Sequence, residues 1–270
     1  MSSPLEMPAN PGSPYLEEGV ADEAAIVQWL DDRPTYNGVL RVFRGDFSPE
    51  PFTEALGEST KYRVIDGAEG PYSAIQGTGV GNGGTADRSK RSDPFDYHTD
   101  GFFFDTPPPM FSLVCENPGD SDSKTSFVDT KEVLQKVENF MPILGLLKFR
   151  YISKSLQRYT RPLVEHHPID GQPITNLVTR GFVEPEVGAD TLAALPDFRF
   201  ISEAMSALYS AIDDSVAYEH SWQKGDVLVA DNHTYIHARL AKTPDATRRL
   251  SRIWLGRTVE TYTPNASESK

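Results

Sequence analysis

Residues 224–257 read KGDVLVADNHTYIHARLAKTPDATRRLSRIWLGR. A Gly225-Asp226 turn opens into the apolar run Val227 to Ala230, the pair Asp231-Asn232 closes it, and a second run, Leu250 to Leu255, follows the polar turn Thr243 to Thr247. Short apolar runs bounded by Gly, Pro, Asn and Asp read as strands. The same rhythm continues outward. Phe95 to Phe104, Phe111 to Cys115, Thr125 to Val128, Leu146 to Ile152 and Ile174 to Val178 are further runs, and GVLRVFRG at 38–45 is another strand. This spacing predicts an antiparallel sandwich or barrel. Helical apolar spacing occurs only between the runs, at Asp22 to Leu30, Pro51 to Leu56, Thr130 to Phe140 and Phe200 to Ile212. The fold class expected is mainly β with flanking helices.

At 270 residues the chain suits one large β domain, expected over residues 21–262. Residues 1–20 and 263–270 are rich in Pro, Ser, Asn and Glu and lack periodicity, so they are expected to be a loose leader and tail. The first residues show neither a basic n-region nor an apolar h-region, which leads to the expectation of a cytoplasmic protein. No run approaches the roughly 18 apolar residues of a membrane helix; the longest, Met141 to Leu147, is broken by Pro142 and Gly145. A net charge of −13 repels phosphate backbones and anionic lipid, and the one basic cluster, Arg88 to Arg91, is flanked by Asp87, Asp93 and Asp96. Neither a nucleic acid nor a membrane is therefore an expected partner; a small molecule is, and the oligomeric state stays open. The single cysteine, Cys115, sits in an apolar run and reads as a buried small residue. Gly77 to Gly84 do not follow the order of a dinucleotide loop and are not followed by an apolar helix, so they read as a surface loop or a lid.

His98 and Asp100 lie two apart in an aromatic run. In a strand such positions share one face, so an imidazole and a carboxylate converge there while Thr99 faces away. Non-haem iron(II) oxygenases use two imidazoles and one carboxylate on one face of the ion, leaving the opposite positions open. With 6 His and 39 acidic residues, about one His-X-Asp/Glu arises by chance, so the pair alone decides nothing without a third ligand. His166 and His167 precede Pro168 in a polar loop, where surface or turn roles are expected; His220 precedes a turn; His233 and His237 both lie in the stretch quoted above.

That stretch resembles the taurine dioxygenase and clavaminate synthase-like superfamily of 2-oxoglutarate oxygenases. The family pattern is a Gly-Asp turn, an apolar strand, Asp-Asn, four variable residues, the distal His and an Arg eleven to fourteen residues on. Gly225-Asp226, Val227 to Ala230, Asp231-Asn232, His237 and Arg248 fill it, with Arg252 beyond. The match selects His237 over His233. Thr125 stands 27 residues after His98, as the family's co-substrate Thr does after its proximal ligand, although Ser121-Asp122-Ser123-Lys124 replaces the usual Gly-Gly-acid turn.

The resemblance implies a double-stranded β-helix (jelly-roll) core. It implies Fe(II) held by His98, Asp100 and His237, and 2-oxoglutarate and O2 as co-substrates. It further implies that Thr125 and Arg248, with Arg252 nearby, bind the keto acid. A guanidinium makes bidentate, charge-assisted bonds to a carboxylate, and a hydroxyl adds a donor without charge. Arg252, Arg180 and Gln76 are candidates for the substrate, expected to be a small amino-acid-like metabolite that is hydroxylated, desaturated or cyclised with release of succinate and CO2. Three other readings stay open: a non-catalytic jelly-roll binding module, a cupin-type metal enzyme without a keto acid, and a hydrolytic zinc site.

Overall fold

The computed structural model describes residues 15–18, 20–66, 70–76, 94–101, 104, 106–119, 124–152, 158–177, 183–186, 199–215, 218–240 and 247–258. Its larger sheet has seven strands: β1 (Tyr15–Glu18), β2 (Leu40–Arg44), β3 (Tyr62–Ile65), β4 (Ser73–Gln76), β6 (Met110–Asn117), β14 (Val227–Asp231) and β16 (Arg249–Arg257), in the order β1-β2-β14-β6-β16-β3 with β4 also on β16. All its pairings are antiparallel except β1 on β2. The smaller sheet has the order β13-β7-β15-β5, built from β5 (Phe95–His98), β7 (Thr125–Asp129), β13 (Tyr218–His220) and β15 (Tyr235–Arg239). A three-stranded sheet of β8 (Lys148–Ile152), β9 (Arg158–Pro162) and β12 (Val183–Glu186), and a pair of β10 (Val164–His166) with β11 (Pro173–Thr175), lie outside these two.

The layers follow from which residues pack together. α1 (Glu23–Asp32) starts at Asp22, whose carboxylate accepts from Ala25 N–H at 2.9 Å, and α2 (Pro49–Leu56) starts with Pro in its first turn. Ile26, Leu30, Phe52 and Leu56 from these helices cover the outer face of the larger sheet through Phe43, Val114, Val227 and Val229. Its inner face, with Leu113, Leu228, Leu250 and Phe111, packs on Phe127 of the smaller sheet. The smaller sheet then turns Val128, Ile236 and Ala238 outward to α3 (Thr130–Lys136), α4 (Met141–Leu144) and α5 (Arg199–Asp213) through Val133, Leu134, Leu144, Leu208 and Ile212. β14 is thus covered on both faces, which is why its sequence is an unbroken apolar run. Phe111 is fully buried, and truncating such a side chain costs about 3–5 kcal/mol.

Two expectations change in detail. The run Phe95 to Phe104 is not one strand: β5 ends at His98, and the chain turns at Gly101, whose φ is +64°. The helix expected over Thr130 to Phe140 is α3 followed by a 3-10 turn at Glu138–Phe140. β1 lies within the stretch expected to be leader, and no helix among the described residues is long and apolar enough to cross a membrane. The Gly77 to Gly84 stretch and the Arg88 to Arg91 cluster fall outside the described residues.

β5 carries a bulge. His237 is opposite His98, but Arg239 is opposite Phe95, so β5 spends one more residue than β15 over the same length. The extra residue puts both Phe95 and His98 on the interior side, while Tyr97 joins the helix-facing core.

Candidate metal centre

His98 and His237 are register partners on adjacent strands, with ring centroids 4.3 Å apart. Asp100 reaches them from the turn after β5, so the convergence expected from strand alternation is achieved by a bend instead. Asn232, in the β14–β15 turn, holds that bend. Its Oδ1 accepts from Asp100 N–H at 2.9 Å, and its Nδ2 donates to the carbonyls of Asp100 at 2.9 Å and Pro108 at 2.8 Å. Thr99 does face away: Leu177 N–H donates to its hydroxyl at 3.2 Å.

Asp100 Oδ1 lies 3.6 Å from His98 Nε2 and 4.0 Å from His237 Nε2, and all three residues are buried. His98 Nδ1 sits 2.9 Å from the Asp96 carbonyl, which can only accept; the ring therefore donates from Nδ1 and keeps the Nε2 lone pair for the interior. His237 Nδ1 has no hydrogen-bond partner among the described residues, and packing orients the ring instead, with Phe111 at 4.5 Å and Phe127 at 5.8 Å between centroids. Burial, helped by His98, pushes the His237 pKa down to about 3, so this imidazole is neutral. Burial alone would raise the Asp100 carboxyl, but the Arg252 guanidinium and the two imidazoles hold it well below the ordinary range. One ionised carboxylate and two imidazoles therefore converge. Adjacent ligands of an octahedral ion with bonds of about 2.1 Å stand about 3 Å apart, so small shifts bring this donor set around one ion.

Arg252 Nη1 donates to Asp100 Oδ1 at 3.0 Å, and Trp254 Nε1 donates to Oδ2 at 3.2 Å, while the guanidinium stacks over the Trp254 ring at 4.4 Å. Arg252 therefore stands on the carboxylate side of the cluster. Trp254 was not singled out from sequence, although its position two residues along β16 from Arg252 was the available signal.

A cavity opens beside the cluster, with apolar walls from Ile75, Phe95, Leu113 and Leu250 and a polar end formed by Thr125, Arg239 and Arg248. Thr125 Oγ1 accepts from Trp222 Nε1 at 2.9 Å and from Arg248 Nη2 at 3.4 Å. Two donors occupy its lone pairs, so its own proton is left to donate. Arg248 is 2% exposed, so although it follows a polar turn in sequence it is a buried cation. Burial and the neighbouring Arg239 draw its pKa down to about 10, still charged at neutral pH. Trp222 and Arg239 were also missed by sequence reasoning. Gln76 pairs with Arg249 in the sheet, but its neighbour Ile75 is the residue that lines the cavity. Arg180 lies outside the described residues.

A second group, His167, Asp231 and His233, also lies within metal-holding distance. Its atoms are already engaged. Asp231 Oδ1 accepts from the N–H groups of His233 and Thr234, its Oδ2 accepts from Gly38 N–H, the Thr234 hydroxyl and His167 Nε2, and His167 Nδ1 accepts from Ile169 N–H. This is a pin for the β14–β15 turn. His167, expected in a surface or turn role, is one of its buried members.

A jelly-roll with two imidazoles and a carboxylate facing a buried Thr–Arg pair has the architecture of the double-stranded β-helix oxygenases. The chain belongs to the taurine catabolism dioxygenase TauD, TfdA family, whose model matches residues 16–254. It is 29% identical over 175 residues to the 3-((Z)-2-isocyanoethenyl)-1H-indole synthase of Fischerella ambigua, covering 58% of this chain and 61% of that protein. It is 30% identical over 171 residues to the tyrosine isonitrile desaturase of Pseudomonas aeruginosa, covering 58% of this chain and 57% of that protein. The match thus spans less than two thirds of the length of these curated relatives. Among solved structures, PvcB of Pseudomonas aeruginosa superposes with a TM-score of 0.66 at 23% identity, covering 90% of this chain and 87% of that one. An asparagine oxygenase in complex with Fe(II), hydroxyasparagine and succinate gives a TM-score of 0.63 at 17% identity, over 86% of this chain and 78% of that one. At these identities the likeness establishes the fold.

Proposed function

We propose that this chain is an Fe(II)- and 2-oxoglutarate-dependent oxygenase, residues 21–262 acting as one domain, that hydroxylates or desaturates a small amino-acid-like metabolite with release of succinate and CO2. The observation that carries the reading is the convergence of His98, Asp100 and His237, with both imidazoles lining the same cavity as Thr125 and Arg248. A zinc hydrolase or a cupin-type enzyme has no task for that buried Thr–Arg pair. The names of the two curated relatives support an amino-acid-derived substrate carrying an aromatic side chain and an isonitrile, with desaturation as the outcome.

In this reading the triad holds the iron, which when bound supplies the redox chemistry that couples decarboxylation of the keto acid to oxidation of a substrate C–H bond. His237 brings a neutral imidazole, and Asp100, kept ionised by Arg252, brings the charge. The Thr125 hydroxyl proton and the Arg248 guanidinium bind the distal carboxylate of the keto acid and fix its direction. Ile75, Phe95, Leu113 and Leu250 keep water from that path. Arg252 is the candidate cation for a substrate anion; replacing it with Ala raises the substrate KM more than the KM for 2-oxoglutarate.

The deciding experiment is anaerobic titration of Fe(II)-loaded protein with 2-oxoglutarate, followed by admission of air. A visible charge-transfer band and then succinate are expected. Absence of both, with iron bound, leaves a non-catalytic binding module as the better description.

A further inference from the structure

Asn232 fixes the backbone of Asp100 but not the plane of its carboxylate, and the χ2 torsion of an Asp is broad and roughly two-fold. That plane is set from β16. His98 Nε2 and His237 Nε2 both approach Oδ1, at 3.6 and 4.0 Å, and Arg252 Nη1 donates to the same oxygen at 3.0 Å. Oδ2 is taken instead by Trp254 Nε1 at 3.2 Å. The indole is itself held firmly. Trp254 lies mid-sheet, opposite Phe111 on β6 and Ile65 on β3, and is 7% exposed. The Phe104 ring meets it edge-on at 5.2 Å, and the Arg252 guanidinium stacks over it. An indole N–H can only donate, so it engages one carboxylate oxygen and leaves the other to the imidazoles.

We infer that Trp254 is a positioning residue that restricts Asp100 to a single metal bond, through Oδ1. A carboxylate binds a cation through one oxygen or through both. With both, Asp100 would take a position that the keto acid or O2 needs, because an octahedral ion held by three protein ligands keeps only the opposite face free. To chelate, Oδ2 would have to leave the indole and give up a charge-assisted hydrogen bond. The two donors of β16 thus divide the work on one carboxylate: Arg252 keeps Oδ1 charged where the imidazoles converge, and Trp254 keeps Oδ2 out of the coordination sphere.

This rests on the proposed function, and the test separates the two. Trp254→Phe keeps a ring under Arg252 and against Phe104 but removes the donor, whereas Trp254→Gln keeps an N–H donor without the ring. Water-proton relaxation of the Mn(II)-loaded proteins counts the waters on the ion, and calorimetric titration reads 2-oxoglutarate. In Trp254→Phe the ion is expected to lose about one water, while Mn(II) binds within about threefold of wild type or tighter. Affinity for 2-oxoglutarate is expected to fall by about tenfold, with Gln recovering part of both changes. A water count equal to wild type in Trp254→Phe overturns the inference. So does loss of Mn(II) from both variants, which marks a ring that merely supports the fold, and so does a Gln variant no better than Phe. If the wild type binds no 2-oxoglutarate, the proposed function fails, while the water count still decides the role of Trp254.

Discussion

Asn232 and Asp100 clasp one another through two 2.9 Å hydrogen bonds, side-chain amide to backbone, across 132 positions of sequence. The clasp fixes the only proposed ligand that does not come from a strand. Asn232→Ala is therefore expected to weaken binding of Mn(II) or Fe(II) by about 10–100-fold, as losses behind a metal ligand commonly do. Equilibrium dialysis measures it. Unaltered metal affinity in a folded variant would show that the bend holds without its clasp.

Thr125 and Trp222 give a graded pair. Thr125→Val keeps the shape and removes the hydroxyl, and 2-oxoglutarate affinity is expected to fall by about tenfold, whereas Trp222→Phe removes only the donor behind that hydroxyl and is expected to cost about threefold. Calorimetric titration of the Mn(II)-loaded variants reads both. A loss of metal rather than keto acid in Thr125→Val would place the hydroxyl elsewhere in the scheme.

Asp231 carries the acid sensitivity of the β14–β15 turn. Burial works to raise its carboxyl, but the hydrogen bonds from His167 and Thr234 prevail and hold it below 3.8. A carboxyl lowered on folding stabilises the native state above its unfolded pKa, and that contribution is lost as pH falls below it. Asp231→Asn is thus expected to cost about 2–3 kcal/mol at pH 7. The gap from wild type should narrow below about pH 4, where the wild type alone gives up this stabilisation. Urea unfolding at a series of pH values checks it, and a gap that stays constant into acid would refute the assignment.

Gly225 has φ +82°, and a Cβ there would lie 2.3 Å from the Gly45 carbonyl oxygen and 2.8 Å from Asp46 Cα. Both obstacles are backbone, so nothing flexible yields. Gly225→Ala is expected to cost about 2 kcal/mol or more, a fall in Tm of about 4–8 °C for a chain of this size. A melting curve indistinguishable from wild type would contradict the described turn.

Much of this was legible in the sequence because the two sheets impose a simple pattern. β6 and β14 are enclosed on both faces and read as plain apolar runs, and the amphipathic spacing of Phe200 to Ile212 marked a helix lying on the outside. The Asp-Asn pair and the distance to His237 carried the resemblance, yet not the reason for it: Asn232 acts on Asp100, and no local pattern connects residues 132 apart. Arg239 and Trp254 were readable by alternation from His237 and Arg252, but only with strand boundaries in hand. Arg248 follows a polar turn and looks exposed, and its burial is a property of the tertiary fold alone. His167 escaped for the same reason, since a polar loop in sequence folds back onto Asp231.

The surplus residue in β5 ties chemistry to counting. Phe95 and His98 are three positions apart, an odd step that would turn one of them out toward the helices if β5 paired evenly with β15, and the bulge absorbs that odd step. Side chains along this strand can drift so long as the bulge persists, so a change that flattens it is a harsher lesion here than most substitutions. Descendants of this chain can repaint the apolar walls of the cavity, but they inherit one irregularity in a short edge strand as a fixed feature.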